Sequence, residues 1–134
     1  MLSSPRFLHY SLVQYCQHKN HAYPGSESIQ QCCIRELAEE TGYVVNPQHH
    51  FVTINEYYEE WLFISHYFTC EITGETQRLL TDREAEVGLE PRWIPLQDAV
   101  TLFSKHQDYA HDEMKRGAYL REYKALNAYL AVKE

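Results

Sequence analysis

Four of the chain's nineteen acidic residues fall within the seventeen-residue stretch ESIQQCCIRELAEETGY, residues 27–43. They are Glu27, Glu36, Glu39 and Glu40, and the one basic residue among them is Arg35. On a helical wheel at about 100° per residue, with Ile29 at zero, Cys33 lies near ~40° and Leu37 near ~80°, an apolar stripe. Glu40, Glu36 and Glu39 lie near ~20°, ~340° and ~280° on the same wheel, so the three carboxylates border that stripe. Like charges at i, i+3 and i, i+4 each cost a few tenths of a kcal/mol in an isolated helix. A face that only needed solvent would interleave lysine, and this one has none. Carboxylates converging at the edge of a core suit a hard cation, which takes oxygen ligands. The alternative is a plain solvated acidic face. Arg35 is within reach of Glu39 on its own helix and of Glu27 before the helix starts.

Elements elsewhere must hold that arc in place. FLHYSLVQYC, residues 7–16, is aromatic and β-branched and predicts a strand. Residues 18–26 read as a loop punctuated by Pro24 and Gly25. Ser28 as N-cap with Gln31 as its capping-box partner, and Gly42 as the stop, predict a helix over 28–41. FVTINEYY (51–58) and WLFISHYFTCEI (61–72) predict a hairpin turning at Glu59–Glu60. The polar run at 73–91 reads as a long loop, a kind of segment more often functional or mobile than idle. A short helix over 96–105 puts Leu96, Ala99, Val100 and Phe103 on one side. A last helix from Asp112 to the end carries a stripe of Tyr119, Tyr123, Leu126 and Leu130. These elements predict a single domain, 1–134, of the α/β (α+β) class: an α/β/α sandwich with a mixed β-sheet.

The chain has 134 residues, 12 basic and 19 acidic, for a net charge of −7. That balance argues against a nucleic-acid surface, which needs a basic footprint. It also means that an anionic substrate would need cations to mediate. The four cysteines form no CxxC pair, and the adjacent Cys32 and Cys33 suit neither structural zinc nor an easy disulfide. All four read as reduced, in a cytoplasmic setting. No run of eighteen apolar residues argues for a membrane span, and MLSSPRFLHY lacks the pattern of a signal peptide. The eight histidines show no metal-ligand spacing, with His49–His50 adjacent and His106 and His111 five apart. No glycine-rich phosphate loop and no GxSxG elbow is present.

Glu27, then seven residues, then Arg35-Glu36-Leu37-x-Glu39-Glu40-x-Gly42-Tyr43, resembles the Nudix box. Every defined position of the box from Glu27 onward is filled. A looser likeness extends to Trp93-Ile94-Pro95-Leu96, which looks like the strand-to-helix passage that often follows in that family. The resemblance implies a Nudix-like fold with the box as a loop-helix-loop that holds divalent cations, Mg²⁺ or Mn²⁺. It implies Glu36, Glu39 and Glu40 as metal ligands, and Glu27 with Arg35 as the pair that fixes the loop. It implies hydrolysis of the pyrophosphate linkage in a nucleoside diphosphate derivative, with Glu36, Glu39 and Arg35 in the catalytic set. The general base is Glu39, or a glutamate of the 73–91 segment such as Glu84 or Glu86. Tyr57, Tyr58 and Trp61 are candidates to stack a base, against the alternative of hairpin packing.

The chain also departs from the pattern. The family's box begins with a glycine six residues before its first glutamate, where this chain has His21. The glycines that usually precede the box are reduced to Pro24-Gly25-Ser26. The departure leaves a second expectation open, a catalytically impaired Nudix-like domain that binds a nucleotide or serves as a regulatory module. Some ADP-ribose-type members carry a proline about fifteen residues after the box, where this chain has Tyr58. The partner implied is a small nucleotide derivative, without membrane or nucleic acid, and a homodimer stays open.

Overall fold

The computed structural model describes residues 10–18, 27–58, 61–86, 88 and 93–132. Within it, β1 (Tyr10–His18), β2 (Tyr43–Tyr57) and β3 (Trp61–Glu75) form a three-stranded sheet in the order β1-β3-β2. Both pairings are antiparallel, so among the described residues the sheet shows no parallel part of the expected mixed sheet. The helices are α1 (Ile29–Thr41), α2 (Asp82–Glu86), α3 (Leu96–Phe103) and α4 (Glu113–Val132), with a 3₁₀ stretch over Ser104–Tyr109.

The central position of β3 explains its composition. A strand flanked on both sides and covered on both faces is buried on both, and Ser65, His66, Tyr67 and Phe68 are all buried. Alternation sends consecutive side chains to opposite faces. Phe68 and Cys70 meet Cys32 and Cys33 of α1, with Ile29, Leu37, Val45 and Ile72 around them. Tyr67 points the other way and donates its hydroxyl hydrogen bond to Glu122 of α4. The result is a sandwich with α1 on one face and α4 on the other, the α+β architecture expected.

On the α4 face, Arg121 donates to Glu56 Oε1 at 3.1 Å and to the Tyr67 hydroxyl at 3.1 Å. Arg121, Glu56 and Glu122 are each about 85% buried at the side chain, with exposures of 13%, 14% and 15%. Burial works against the Arg121 charge, but Tyr67, Glu122 and Glu56 outweigh it and hold the guanidinium protonated. The network fixes α4 to the hairpin.

Strand β2 begins eight residues earlier than the pattern predicted, directly after Gly42. Pro47 interrupts the strand signal there. β2 is an edge strand in the described sheet, and its register shifts between Pro47 and His49, the two settings in which a sheet accommodates a residue without an N–H. Strand β3 likewise runs on to Glu75, which shortens the expected 73–91 loop, and α2 occupies part of the rest. In α4, Ala125 and Leu126 are buried, whereas Leu130 is exposed, so the stripe ends a turn sooner than expected. The expected strand residues 7–9 and the loop at 19–26 lie outside the described residues.

Candidate active site

Helix α1 is set at both ends by its own sequence. Ser28 Oγ accepts from Gln31 N at 3.1 Å, and Ser28 N donates to Gln31 Oε1 at 2.9 Å, the capping box expected. Gly42 ends the helix in the left-handed region at φ 80°, with its N–H donating to Ala38 O at 3.0 Å. A Cβ at Gly42 would stand 2.8 Å from the Thr76 carbonyl oxygen, so glycine is required for conformation and for space. Between these ends Cys32 and Cys33 enter the core and leave Glu36, Glu39 and Glu40 along the rim.

The last turn of α1 carries acids and no base. That runs against the helix macrodipole, which favours cations at a C-terminus. The sequence therefore tolerates two unfavourable arrangements at once, like-charge crowding and an adverse dipole.

Arg35 is the local counterweight. Its Nε donates to Glu27 Oε2 at 2.8 Å and its Nη2 to Glu27 Oε1 at 3.1 Å, a two-pronged bond. The same guanidinium reaches Glu39 Oε1 at 3.4 Å and lies 3.7 Å from Glu36 Oε1. The hydrogen bond with Glu27 raises the Arg35 pKa further and holds the Glu27 carboxyl below the usual range. Glu27 and Arg35 thus form the pair expected from the spacing, and it ties the residues before the helix to its middle.

Glu40 sits differently. It is half-buried, and burial pushes its carboxyl up to about 7, helped by a hydrogen bond with Glu36 and by the charges of Glu36, Glu84 and Glu39. Glu84 arrives from the segment after β3. It closes a capping box with Thr81, with Thr81 N donating to Glu84 Oε1 at 2.8 Å and Glu84 N to Thr81 Oγ1 at 3.1 Å. Leu79 N donates to Glu39 O at 2.7 Å and Thr76 N to Gly42 O at 2.7 Å, which lash this segment to the end of α1. Four carboxylates from two segments therefore act on one another around Glu40. Glu86 closes α2 as an exposed residue.

The implied Mg²⁺ or Mn²⁺ would meet a donor set made of carboxylate oxygens. Among the described residues no three His, Cys, Asp or Glu side chains form a ready-made cage. Glu39 shares its carboxylate between two neighbours, accepting from Arg35 at 3.4 Å while its charge acts on Glu40. Mg²⁺ does not need a cage, because it keeps several waters and binds through one or two carboxylates plus substrate phosphates. Oxygen-only donors, a half-buried carboxyl crowded by like charges and an unbalanced helix end fit such an ion.

Of the aromatic candidates, Tyr58 is not brought to this site. Tyr58 lies on the α4 face, with its hydroxyl donating to Glu56 Oε2 at 3.3 Å and its ring edge-on to Phe63. Tyr57 is 73% exposed. Trp61 begins β3, and its side chain lies outside the described residues. Tyr58 is hairpin packing, the alternative left open in the sequence, because the alternation of β3 sends its partner Phe63 to the face opposite α1. Two aromatics that the sequence did not single out stand closer: Trp93 Nε1 donates to the Tyr43 hydroxyl at 3.1 Å, one residue beyond the Gly42 turn. Tyr43 closes the box motif and Trp93 opens the Trp-Ile-Pro passage, so their pairing was legible as two motifs but not as a contact.

Cys32, Cys33 and Cys70 are buried in the core, with Cys33 Sγ 3.9 Å from Cys70 Sγ, while the Cys16 side chain lies outside the described residues. No helix among the described residues is long and apolar enough to cross a membrane. A family model described as NUDIX domain matches residues 14–115. Neither the curated proteins nor the solved structures gave a match.

Proposed function

The chain belongs to the Nudix family, whose domain model covers most of its length, and on that footing we propose that it hydrolyses the pyrophosphate linkage of a nucleoside diphosphate derivative with Mg²⁺ or Mn²⁺. Membership supports a hydrolase of this general type. The observation that carries the finer reading is the charge around Glu40. The half-buried Glu40 carboxyl, crowded by Glu36 and Glu39 of its own helix and by Glu84 of a second segment, makes an oxygen-rich cluster whose charge a hard cation would neutralise.

Glu36 and Glu40 would hold the ion, with Glu39 joining as its Arg35 contact loosens. Bound Mg²⁺ or Mn²⁺ supplies neutralisation of the pyrophosphate oxygens and a lowered pKa for a water molecule. Arg35 binds Glu27 and so keeps the residues before the helix against the carboxylates. Glu84, whose charge acts on Glu40, would accept a proton from water, with Glu39 on the helix itself as the alternative base. Both roles need the base within hydrogen-bond reach of the water, which the rigid α1 and the Thr81–Glu84 cap favour.

The test is a panel of nucleoside triphosphates, nucleotide sugars and dinucleoside polyphosphates incubated with Mg²⁺ or Mn²⁺, with phosphate-containing products resolved by chromatography. Glu40→Gln should cut turnover by orders of magnitude while the fold stays intact. Equal activity of wild type and variant would remove the metal assignment. Retention of an intact nucleotide with no turnover would favour the impaired, binding-only reading.

A further inference from the structure

Cysteines meet where α1 lies on the sheet, and the hydrolytic reading gives them no role. Cys33 of α1 and Cys70 of β3 face each other with their Sγ atoms 3.9 Å apart. A disulfide bond is about 2.05 Å long, so the two sulfurs touch without being joined. They are 0% and 2% exposed, inside the cluster that also holds Cys32, Val45 and Phe68. β3 is the central strand and is paired on both sides, so α1 is the partner that can move. The same helix carries Glu36 one turn after Cys33, then Glu39 and Glu40. Two aliphatic side chains would fill this space equally well, whereas two thiols add a bond that can be made and broken.

Neither sulfur can be reached while α1 is seated, and thiols so buried are inert. Exposure requires α1 to lift from the sheet, a local opening whose cost depends on what holds the helix down. Without a cation, the crowding of Glu36, Glu39 and Glu40 and the uncompensated helix end work against the closed state. A bound cation favours the closed state by mass action. We propose that Cys33 and Cys70 form a redox latch: when α1 stands without its metal, a peroxide joins the two sulfurs and fixes the helix to β3 in a displaced position. One thiolate attacks hydrogen peroxide, its S–O bond forming as the O–O bond breaks, which leaves a sulfenic acid and a hydroxide that takes up a proton. The second sulfur attacks the sulfenic sulfur, the S–S bond forms, the S–O bond breaks and a second water leaves. Two thiols and one peroxide thus give one disulfide and two waters, with the two electrons lost by sulfur reducing the peroxide. A dithiol reductant reverses the bridge. Closing the sulfurs from 3.9 Å to about 2.05 Å in a close-packed core moves α1, and the carboxylates move with it. The protective part of the metal rests on the reading of α1 as the site that holds it, whereas the sulfur chemistry does not.

The experiment treats EDTA-stripped, ¹⁵N-labelled full-length protein with hydrogen peroxide, alone and with Mg²⁺ or Mn²⁺ at a hundredfold excess over its dissociation constant. Disulfides are mapped by mass spectrometry of unreduced peptides. The expected main product in the stripped protein is the Cys33–Cys70 bridge, formed about a hundredfold more slowly with the metal bound. In the bridged protein the backbone amides from Cys33 to Glu40 should shift and return with dithiothreitol. A different pairing as the main product, no bridge at peroxide levels that oxidise the urea-unfolded chain, or a bridge that leaves the α1 amides in place would overturn the latch. Cys70→Ala keeps a small apolar group in the core and should show no reversible shift of those amides after peroxide. The same reversible shift in that variant would assign the effect to another residue and overturn the latch as well. If the bridge forms and shifts α1 equally fast with and without either ion, the metal assignment on α1 falls and the latch stands. If Mg²⁺ or Mn²⁺ binds and no Cys33–Cys70 bridge forms, the latch falls and the metal reading stands.

Discussion

Removing the charge at Glu40 should stabilise the metal-free protein, and only above a defined pH. The Glu40 carboxyl is pushed up to about 7 from an ordinary 4.5, with burial as the largest cause. A raised carboxyl pKa means that the folded state holds the proton more tightly than the unfolded chain. Stability therefore carries no cost from Glu40 below pH 4.5, falls as pH rises from 4.5 to about 7, and bears the full cost above that. At 1.36 kcal/mol per pKa unit the limiting cost is about 3 kcal/mol. The group is only half-buried, and solvent screening reduces this to about 1–2 kcal/mol. Glu40→Gln keeps the shape and removes the titration. In EDTA, wild type and variant should melt together at pH 4.5, and the variant should melt higher by roughly 3–8 °C at pH 8. The comparison must be a difference, because buried His66 contributes in the opposite direction. Burial and His50 lower its pKa, so its contribution is present above the ordinary value of 6.5 and is lost as pH falls. Calorimetric melts of both proteins from pH 4.5 to 8.5 measure the gap. A gap that stays constant with pH would refute the carboxylate crowding inferred around Glu40.

Further outcomes follow from the same geometry. Arg35→Ala releases Glu27, so the residues before the helix come away from the carboxylates, and should lower Mg²⁺ affinity about tenfold or more, as loss of a residue that orients ligands does, read by calorimetric titration. Gly42→Ala forces a side chain into the left-handed region against Thr76 O and should cost about 1–3 kcal/mol in urea unfolding. Glu56→Ala leaves buried Arg121 short of a partner and should cost about 3–5 kcal/mol, whereas the double change Glu56→Leu with Arg121→Met should cost much less. Mg²⁺ at a hundredfold excess over its dissociation constant should stabilise the protein by about 2.7 kcal/mol, and no shift at millimolar Mg²⁺ or Mn²⁺ would leave α1 a solvated acidic face.

The parts legible in the sequence are those fixed by short-range rules. Ser28, Gln31 and Gly42 set the limits of α1 because caps act within a few residues, and the Glu27–Arg35 pair followed from the reach of Arg35 back past the helix start. The parts that were not legible depend on distant partners. Tyr58 reads as a stacking candidate until the alternation of β3 sends Phe63 to the α4 face. Pro47 breaks a strand signal and is tolerated because β2 is an edge strand in the described sheet, a property of topology. Glu84 stood among several acids in a polar run, and two backbone bonds from Thr76 and Leu79 to α1 are what set it beside Glu40. The buried network of Arg121, Glu56, Glu122 and Tyr67 joins elements more than fifty residues apart, beyond any local pattern.

The central claim is that the carboxylates of α1 serve metal-dependent cleavage of a pyrophosphate bond. Phosphorus NMR of nucleoside diphosphate derivatives, recorded with wild type and Glu40→Gln in Mg²⁺ and in EDTA, tests it most directly. The account predicts that wild type with Mg²⁺ replaces the pyrophosphate resonances with those of phosphate monoesters, and that EDTA or Glu40→Gln stops it. Pyrophosphate signals that persist with wild type in Mg²⁺ and in Mn²⁺, or that disappear equally fast with Glu40→Gln, would contradict it.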